Sequence, residues 1–288
     1  MIAVAQQISE TGISRAKACK LAGLPRSSLY YAPRKRTYTP EKGLCEKIVQ
    51  ICQQRPTYGY RRITAMLKRE GCTVNRKKVQ RIMGLLGLLH KSPVHRPHWE
   101  IHRGKQAAEL PDTYWQADMT KIWCGIDGWG YLFNLIDSCS RGWMGYHFSL
   151  LCSTNESLLA LHSALLARAP EAGTILGLTV GTDGGSQYTS RKFEESIALL
   201  GLAHQVSRKH TPEDNGIVES FHKTLKVEYV WPCQFESFAE AEKAIKEAVH
   251  DYNCSRIHSA LKYKTPNEYL MEVTGKGFCI EALKCVQK

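Results

Sequence analysis

The chain has 288 residues, of which 43% are hydrophobic and 23% are charged, and its formal net charge at pH 7 is +12. These values are ordinary for a folded chain with a sizeable core, and they exclude a disordered chain, collagen and a coiled-coil rod. No apolar run approaches the ~18 residues of a membrane span, and the chain start lacks the basic and apolar segments of a secretory signal. We therefore predict a cytoplasmic protein with no membrane partner, in which the 11 cysteines stay reduced.

The positive charge is concentrated at the front of the chain. Residues 1–110 contain 22 Lys and Arg residues against 6 Asp and Glu, a net charge of +16. The remaining 178 residues contain 17 against 21, a net charge of −4. Because Lys and Arg release counterions when they neutralise phosphates, this asymmetry predicts a polyanionic partner for the front of the chain. A basic surface that is merely solvated is the alternative.

Residues 1–36 predict a helix, a tight turn and a second helix. Ser14 stands at the start of a helix that would carry Ala18 and Leu21 on one side. Gly23 supplies the turn, and Pro25 occupies the position where the next helix would begin. In a helix-turn-helix the second helix offers its first residues to DNA. Here those residues are Arg26, Ser27 and Ser28.

A second helical module is predicted over residues 44–90. Apolar residues recur at helical spacing near both of its ends, namely Leu44, Ile48, Ile51 and Cys52, and Val79, Ile82, Met83 and Leu86. A third helix opens between them at Tyr58–Arg62. The basic side chains that stand at helix starts and on outer faces are Arg61, Arg62, Arg76, Lys77, Lys78 and Arg81. We expect them to contact phosphates, the alternative being a basic face that binds nothing.

Residues 91–111 form a basic linker that is rich in His, Pro and Arg. Its histidines match no zinc template, because the segment contains no cysteine and the spacing is wrong. We therefore predict no zinc site there.

Strand patterns alternate with helix patterns from residue 112 onward. Aromatic and β-branched residues bounded by turn residues predict a three-stranded meander, followed by alternating helices and strands. The predicted strands are 114–123, 130–137, 143–150, one ending at 182 and a short one near 204–207, and the predicted helices are 155–169, 191–200 and 217–229. This order is that of an α/β, RNase H-like mixed five-stranded sheet with helices, which we assign to residues 112–276 together with C-terminal helices.

Three acidic residues occur where ordinary packing would not choose them. Asp118 falls inside an aromatic strand, Asp183 ends a strand before two glycines, and Glu219 lies in the first turns of an apolar helix. If the three converge, their repulsion requires a cation, and hard oxygen ligands select Mg²⁺ or Mn²⁺. Taken singly, each has another explanation: a hydrogen-bonded core acid, a turn former, and a salt-bridge partner of Lys223.

Several ordered strings in the chain resemble one family of bacterial proteins. They are Tyr114–Thr120, Thr182–Tyr188, Asn215–His222 continuing to Lys226, Tyr252–Asn253 with Arg256, His258, Leu261 and Pro266, and, in the front modules, Tyr58–Ile63 and Val74–Lys77. These strings are similar to the signature blocks of insertion-sequence transposases of the IS-three group, specifically their second-reading-frame product. The catalytic domain of that product is similar to retroviral integrases. The 35 residues between Asp183 and Glu219 match the spacing of this DDE group.

The resemblance implies a role for each matching residue. Asp118 would bridge two Mg²⁺ or Mn²⁺ ions, and Asp183 and Glu219 would complete their separate ligand shells. Lys226 matches a basic residue that grips the terminal DNA. The helical spacing places Glu219, Lys223 and Lys226 on one face, so we expect both lysines to contact DNA. The residues after Asp183, Gln187 and Tyr188, are expected to contact phosphate or to stack on a displaced base.

The implied activity is metal-dependent cleavage of DNA 3′ ends and strand transfer, by a nucleoid-associated protein that forms a homo-oligomer on the element ends and the target. Family members usually gain an upstream module by frameshift fusion, so an upstream-frame partner is a further expectation. Two alternatives stay open: an RNase H-like nuclease that does not join strands, and a catalytically silent DNA-binding regulator.

Overall fold

The computed structural model describes residues 2–30, 39–90, 108–207 and 215–278. The chain forms two compact units, Met1–Glu46 and Lys47–Lys288. The predicted linker over 91–111 lies almost wholly outside the described residues. No helix in the described ranges combines the length and apolar content that crossing a bilayer requires. The cysteines of these ranges form no disulfide.

The first unit contains three short helices, α1 (Ile2–Glu10), α2 (Arg15–Leu21) and α3 (Arg26–Leu29). Ser14 occupies the position before α2, as predicted, but its side chain makes no capping hydrogen bond. Ala18 is buried, as predicted, but the expectation for Leu21 is wrong, since its side chain is 64% exposed and Cys19 is the other buried residue of α2.

The second unit begins with a helical layer built from α4 (Lys42–Gln54), α5 (Tyr60–Arg69) and α6 (Arg76–Leu85), of which α4 spans the division between the units. The apolar residues at helical spacing form its core, with Ile48, Ile63, Leu67, Val79 and Ile82 fully buried. Helix α6 begins as its sequence predicts, because the Asn75 side chain accepts a hydrogen bond from the Lys77 amide.

A five-stranded mixed sheet forms the centre of the second unit. Its strands are β1 (Tyr114–Trp123), β2 (Trp129–Asp137), β3 (Trp143–Ser149), β4 (Thr179–Thr182) and β5 (Ala203–Val206). The order is β3-β2-β1-β4-β5. The first three strands are antiparallel neighbours, whereas β4 runs parallel to β1 and β5 parallel to β4. The predicted RNase H-like mixed sheet is therefore confirmed.

Helices cover both faces of the sheet. They are α7 (Thr154–Arg168), α8 (Arg191–Leu199), α9 (Gly216–Leu225), α10 (Phe238–Cys254) and α11 (Pro266–Thr274). One apolar core lies between the sheet and α7 with α8, and a second lies between the sheet and α9 with α10. Gly145 on β3 permits the close approach of α7, because a Cβ atom there would lie 2.4 Å from the Ala164 backbone nitrogen.

The helix predicted over 217–229 changes form within that range. The α-helix ends at Leu225, and Lys226–Val230 form a π-helical turn. The assumption of one continuous α-helix is therefore wrong beyond Leu225. The amide of Lys226 still donates a hydrogen bond to the His222 carbonyl oxygen, so α-helical spacing holds as far as Lys226 and changes after it.

Candidate active site

Asp118 lies in the middle of the central strand β1. Its direct neighbour across the antiparallel pair is Asn134 on β2. One carboxylate oxygen, Oδ1, accepts a hydrogen bond of 2.7 Å from the Met119 amide. Aromatic and β-branched residues flank this acid in the sequence and favour a strand. The strand holds the carboxylate in a mostly buried position.

Asp183 and Glu219 come from elements that adjoin β1. Asp183 directly follows β4, which pairs in parallel with β1 so that Ala117 lies opposite Thr182. Its Oδ1 accepts a hydrogen bond of 3.0 Å from the Gly185 amide. Glu219 lies in the first turn of α9 and is exposed. The end of β4 and the start of α9 therefore place Asp183 and Glu219 beside the central strand that carries Asp118.

Asp183 and Glu219 both lie within electrostatic reach of Asp118. Burial raises the pKa of Asp118 to about 7, and the negative charges of Asp183 and Glu219 add to this effect. The hydrogen bond from the Met119 amide and the charge of Lys226 oppose it. Asp118 is thus a buried acid whose charged form is destabilised by its two acidic neighbours.

The carboxylates do not form a closed ligand set. Within the described ranges, no three His, Cys, Asp or Glu side chains lie close enough together to hold a metal ion. In the same part of the chain Glu219 and Lys223 make no ion pair with each other, so the salt-bridge explanation of Glu219 finds no support. Asp183 and Glu219 therefore lie near Asp118, but the three carboxylates are not gathered around a common point in the described structure.

A buried histidine and an asparagine support Asp118. The Nδ1 atom of His222 lies 3.4 Å from Oδ2 of Asp118, and its Nε2 atom lies 3.1 Å from Nδ2 of Asn134. Burial, reinforced by Lys226, lowers the pKa of His222 to about 4, so the ring is neutral near pH 7. A neutral ring with the proton on Nδ1 would donate to Asp118 and accept from Asn134.

Sequence reasoning gave neither of these two side chains a role. The signal for His222 was its position three residues after Glu219, on the buried side of the same helix. Nothing in the sequence pattern pointed to Asn134, because its link to His222 spans 88 positions.

The two lysines predicted to grip DNA differ in their surroundings. Lys223 is exposed on α9. Lys226 is partly buried at the start of the π-helical turn, and its charge acts on both Asp118 and His222. Lys226 is therefore the lysine that lies near the acids.

The predicted DNA contact of Tyr188 is wrong. Its side chain is only 2% exposed and packs in the core against the Phe193 ring, with ring centroids 5.4 Å apart. A ring enclosed in this way cannot stack on a base. Gln187 is partly exposed and remains a predicted contact.

The basic residues of the front modules mostly face solvent. The exposed members are Arg26, Ser27, Arg61, Arg76, Lys77 and Arg81, and Ser28 and Lys78 are partly exposed. Arg62 differs from them: its guanidinium lies 3.7 Å from Glu228 and 5.1 Å from the centre of the Tyr58 ring. Arg62 therefore does not belong to the open basic face on which the sequence placed it.

The sheet order and the three acids define the class of protein, an RNase H-like catalytic core of the integrase type. Comparison with protein families agrees. Residues 108–212 and 200–266 each match an integrase core domain family, and residues 40–98 match an HTH-like domain family.

Transposases are the relatives that this chain resembles along most of its length. It is 34% identical over 239 residues to the transposase for insertion sequence element IS904 of Lactococcus lactis, which covers 78% of this chain and 92% of that protein. It is 28% identical over 271 residues to the transposase InsD for insertion element IS2 of Escherichia coli, which covers 90% of this chain and 89% of that protein. The chain belongs to this family of insertion-sequence transposases.

Two solved structures are also similar. A simian T-cell lymphotropic virus intasome shares 19% identity, covers 76% of this chain and 72% of that chain, and gives a TM-score of 0.48. The HTLV-2 integrase catalytic core shares 21% identity, covers 56% of this chain and 97% of that chain, and gives a TM-score of 0.41.

Proposed function

We propose that this transposase cuts DNA at the 3′ ends of a mobile element and joins those ends to a target, using divalent ions held by Asp118, Asp183 and Glu219. The observation that supports this proposal is that Asp183, at the end of β4, and Glu219, in the first turn of α9, both act electrostatically on Asp118 of β1. Family membership as a DDE transposase supports the same activity.

The donor set fits Mg²⁺ or Mn²⁺. All three side chains present hard carboxylate oxygens, and Asp118 is destabilised in its charged form by the other two acids. A divalent cation between them would remove this repulsion, and Glu219 is exposed enough for its side chain to turn toward it. When bound, a pair of such ions would activate an attacking oxygen and stabilise a leaving one.

The residues of the chain would align the reaction and neutralise its charge. Asp118 would hold the shared ligand position, with its carboxylate oriented by His222 and Met119. Lys226 would contact the DNA strand beside it. In the first step a water oxygen bonds to phosphorus and the bond to the strand's 3′ oxygen breaks, which leaves a 3′-OH. In the second step that 3′-OH attacks another phosphodiester and one P–O bond replaces another, so no covalent protein intermediate is needed.

The other parts of the chain would bind DNA. We assign the exposed basic residues of the segments 1–36 and 44–90 to phosphate contact, the second segment matching an HTH-like domain family. Because two element ends must be brought together, we infer that at least two copies of the chain act on the DNA. We also infer that the protein works on bacterial DNA in the cytoplasm, with or without an upstream-frame module.

A cleavage assay separates this proposal from its two rivals. Purified protein is incubated with a labelled duplex that carries the element end, in the presence of Mg²⁺. Nicks at 3′ ends together with joined products support the proposal. Nicks without joining would favour a nuclease, and binding without products would favour a silent regulator.

An active-site variant and a surface variant complete the assay. Asp118→Asn removes one charged ligand and should abolish both products. Glu242→Gln removes a carboxylate from the surface of α10 and should leave both unchanged. Persistence of cleavage in Asp118→Asn would overturn the metal site.

A further inference from the structure

A basic cavity of about 290 Å³ lies beside α9, and its lining residues do not include Asp118, Asp183 or Glu219. Gly216, Ser220 and Thr224 line it from successive turns of the helix, whereas Glu219 and Lys223 belong to a different face. The lining includes four basic side chains, those of Arg62, Arg141, Arg256 and His258. At ~30 Å³ of liquid volume per water molecule, the cavity has room for a phosphate group with its flanking atoms.

The cavity contains more positive than negative charge. Arg256 is 2% exposed and forms two hydrogen bonds to Glu228, of 2.6 and 2.8 Å. Arg62 shares the same carboxylate at 3.7 Å. One carboxylate, that of Glu228, is therefore shared by two arginines, and a third arginine adds a further positive charge to the cavity.

The third arginine, Arg141, is the least satisfied of the group. Its guanidinium makes no hydrogen bond or ion pair with the described part of the chain. The carboxyl group that acts on its pKa, that of Asp137, already accepts hydrogen bonds from the Ser140 and Asp112 amides. Partial burial lowers the pKa of Arg141, so its environment provides too little negative charge.

The histidine of the cavity does not compensate for this charge. Burial and the three arginines, 256, 62 and 141, lower the pKa of His258 to about 2, so the ring is neutral at physiological pH. All three guanidinium groups are thus within electrostatic reach of one buried ring. The cavity has the electrostatic character of an anion site.

The backbone at Arg141 gives independent support. Arg141 follows Ser140 in the turn between β2 and β3 and has a φ angle of +59°. Residues other than Gly, Asn and Asp adopt this left-handed conformation only at an energetic cost. The turn with this conformation places Arg141 in the wall of the cavity.

We propose that this cavity binds a backbone phosphate of the DNA strand that crosses α9. Arg141 is the main ligand, and Arg256 and Arg62 add to the positive field. Guanidinium groups match phosphate oxygens in a two-pronged geometry. The cavity and Glu219 share the first turn of one helix, so a strand that reaches the acids passes the cavity within one or two nucleotides. This inference rests on the proposed function only in taking DNA as the partner.

The test measures binding in the absence of chemistry. The full chain is titrated into a fluorescent 30-base-pair duplex in EDTA, and anisotropy is recorded at a series of salt concentrations. Arg141→Ala should weaken binding by about tenfold and reduce the slope of log K against log salt by about 1. Arg141→Lys should restore part of the affinity, because it returns the charge without the planar fork.

A matched variant controls for the loss of one positive charge. Arg191→Ala removes a surface arginine from α8 that pairs only with Glu195, and it should leave the affinity and the slope unchanged. An unchanged slope in Arg141→Ala would overturn the proposal. Failure of the proposed catalytic function would show itself separately, as absence of cleavage with Mg²⁺ while the effect of Arg141→Ala on binding persisted.

A second arm distinguishes a DNA phosphate from a free phosphate ion. Melting temperatures of the wild type and Arg141→Ala are compared in phosphate and in chloride buffers of equal ionic strength. If phosphate stabilises only the wild type and Arg141→Ala binds DNA normally, the cavity takes a small anion and the DNA assignment is wrong. Weaker DNA binding of Arg141→Ala in the same experiments supports the assignment.

Discussion

The Oε1 atom of Gln116 accepts a hydrogen bond of 3.0 Å from the backbone amide of Val218. Gln116 lies two residues before Asp118 on the central strand, and Val218 directly precedes Glu219 on α9. One buried hydrogen bond therefore connects the strand that carries the first acid to the helix that carries the third. The amide of Val218 is one of the unpaired N–H groups that every helix start must satisfy.

We expect Gln116→Met to reduce cleavage more than its effect on stability explains. The substitution keeps the length of the side chain but removes the acceptor, so the Val218 amide is left buried without a partner at a cost of about 1–3 kcal/mol. Helix α9 would then shift relative to β1. Turnover is measured with Mg²⁺ on the element-end duplex, alongside the melting temperature.

The control for this prediction is a buried amide far from the acids. Asn253 exchanges two hydrogen bonds with the backbone of Trp143, each 2.9 Å long. Asn253→Leu should destabilise the protein at least as much as Gln116→Met, yet the folded fraction should retain its turnover. Equal losses of turnover in both variants would show that the Gln116 effect is one of stability alone.

His222→Leu should weaken metal binding and cleavage by about 10- to 100-fold. The variant removes the imidazole beside Oδ2 of Asp118 and leaves the amide nitrogen of Asn134 with the Leu132 carbonyl oxygen but without His222. Mn²⁺ affinity is measured by calorimetry and cleavage by the duplex assay. His162→Leu, which changes an exposed histidine of α7, should have no effect on either quantity. Normal Mn²⁺ affinity in His222→Leu would contradict the role assigned to this histidine.

The stability of the protein should fall in acid partly because of His258. Its folded pKa of about 2 lies far below the value of about 6.5 in the unfolded chain. Below pH 6.5 the His258 side chain binds a proton in the unfolded state but not in the folded state, which lowers the free energy of unfolding. This loss is absent above pH 6.5 and grows as the pH falls. At pH 5 the loss is about 2 kcal/mol.

His258→Gln isolates this contribution. Glutamine still offers an oxygen to the Arg256 guanidinium but does not titrate. The free energy of unfolding in urea is measured at pH 7 and pH 5 for both proteins. The difference between the two pH values should be smaller for the variant by about 2 kcal/mol. Identical differences would refute the assignment.

Asp251→Ala should lower the free energy of unfolding of the second unit by about 2 kcal/mol. This loss is smaller than that expected from breaking a fully buried ion pair, because the carboxylate is partly exposed. Arg55 donates two hydrogen bonds to Asp251, of 2.5 and 2.6 Å, which join the end of α4 to α10. Burial alone would raise the pKa of Asp251, but hydrogen bonds from Arg55 and Tyr229 lower it. Chemical denaturation measures the change. Glu242→Ala breaks an exposed pair on the same helix and should cost less than about 0.5 kcal/mol.

Local pattern was sufficient to predict the sheet and most of the helices. Strand β1 has the predicted bounds because aromatic and β-branched residues are followed by turn residues at its end. The parallel pairing of β4 with β1 follows from the helix between β3 and β4. Carboxylates inside apolar elements contradict the burial preference of their neighbours, and this signal singled out the three acids, whose role as metal ligands stays a prediction.

What the sequence missed depends on contacts between distant residues. The environment of His222 is created by Asn134, and that of Arg62 by Glu228, so neither could be found from helical spacing. Tyr188 stands in a catalytic string but fills the core beside α8. The π-helical turn at Lys226 has no local sequence signal that we can identify.

The most direct test of the central claim is the location of metal in crystals of the protein grown with Mn²⁺ and an element-end duplex. Anomalous scattering identifies manganese independently of any assumption about its ligands. The account predicts manganese bound to the Asp118 carboxylate, with Asp183 and Glu219 as further ligands. Crystals that diffract well and contain manganese elsewhere, or none beside these three carboxylates, would contradict it.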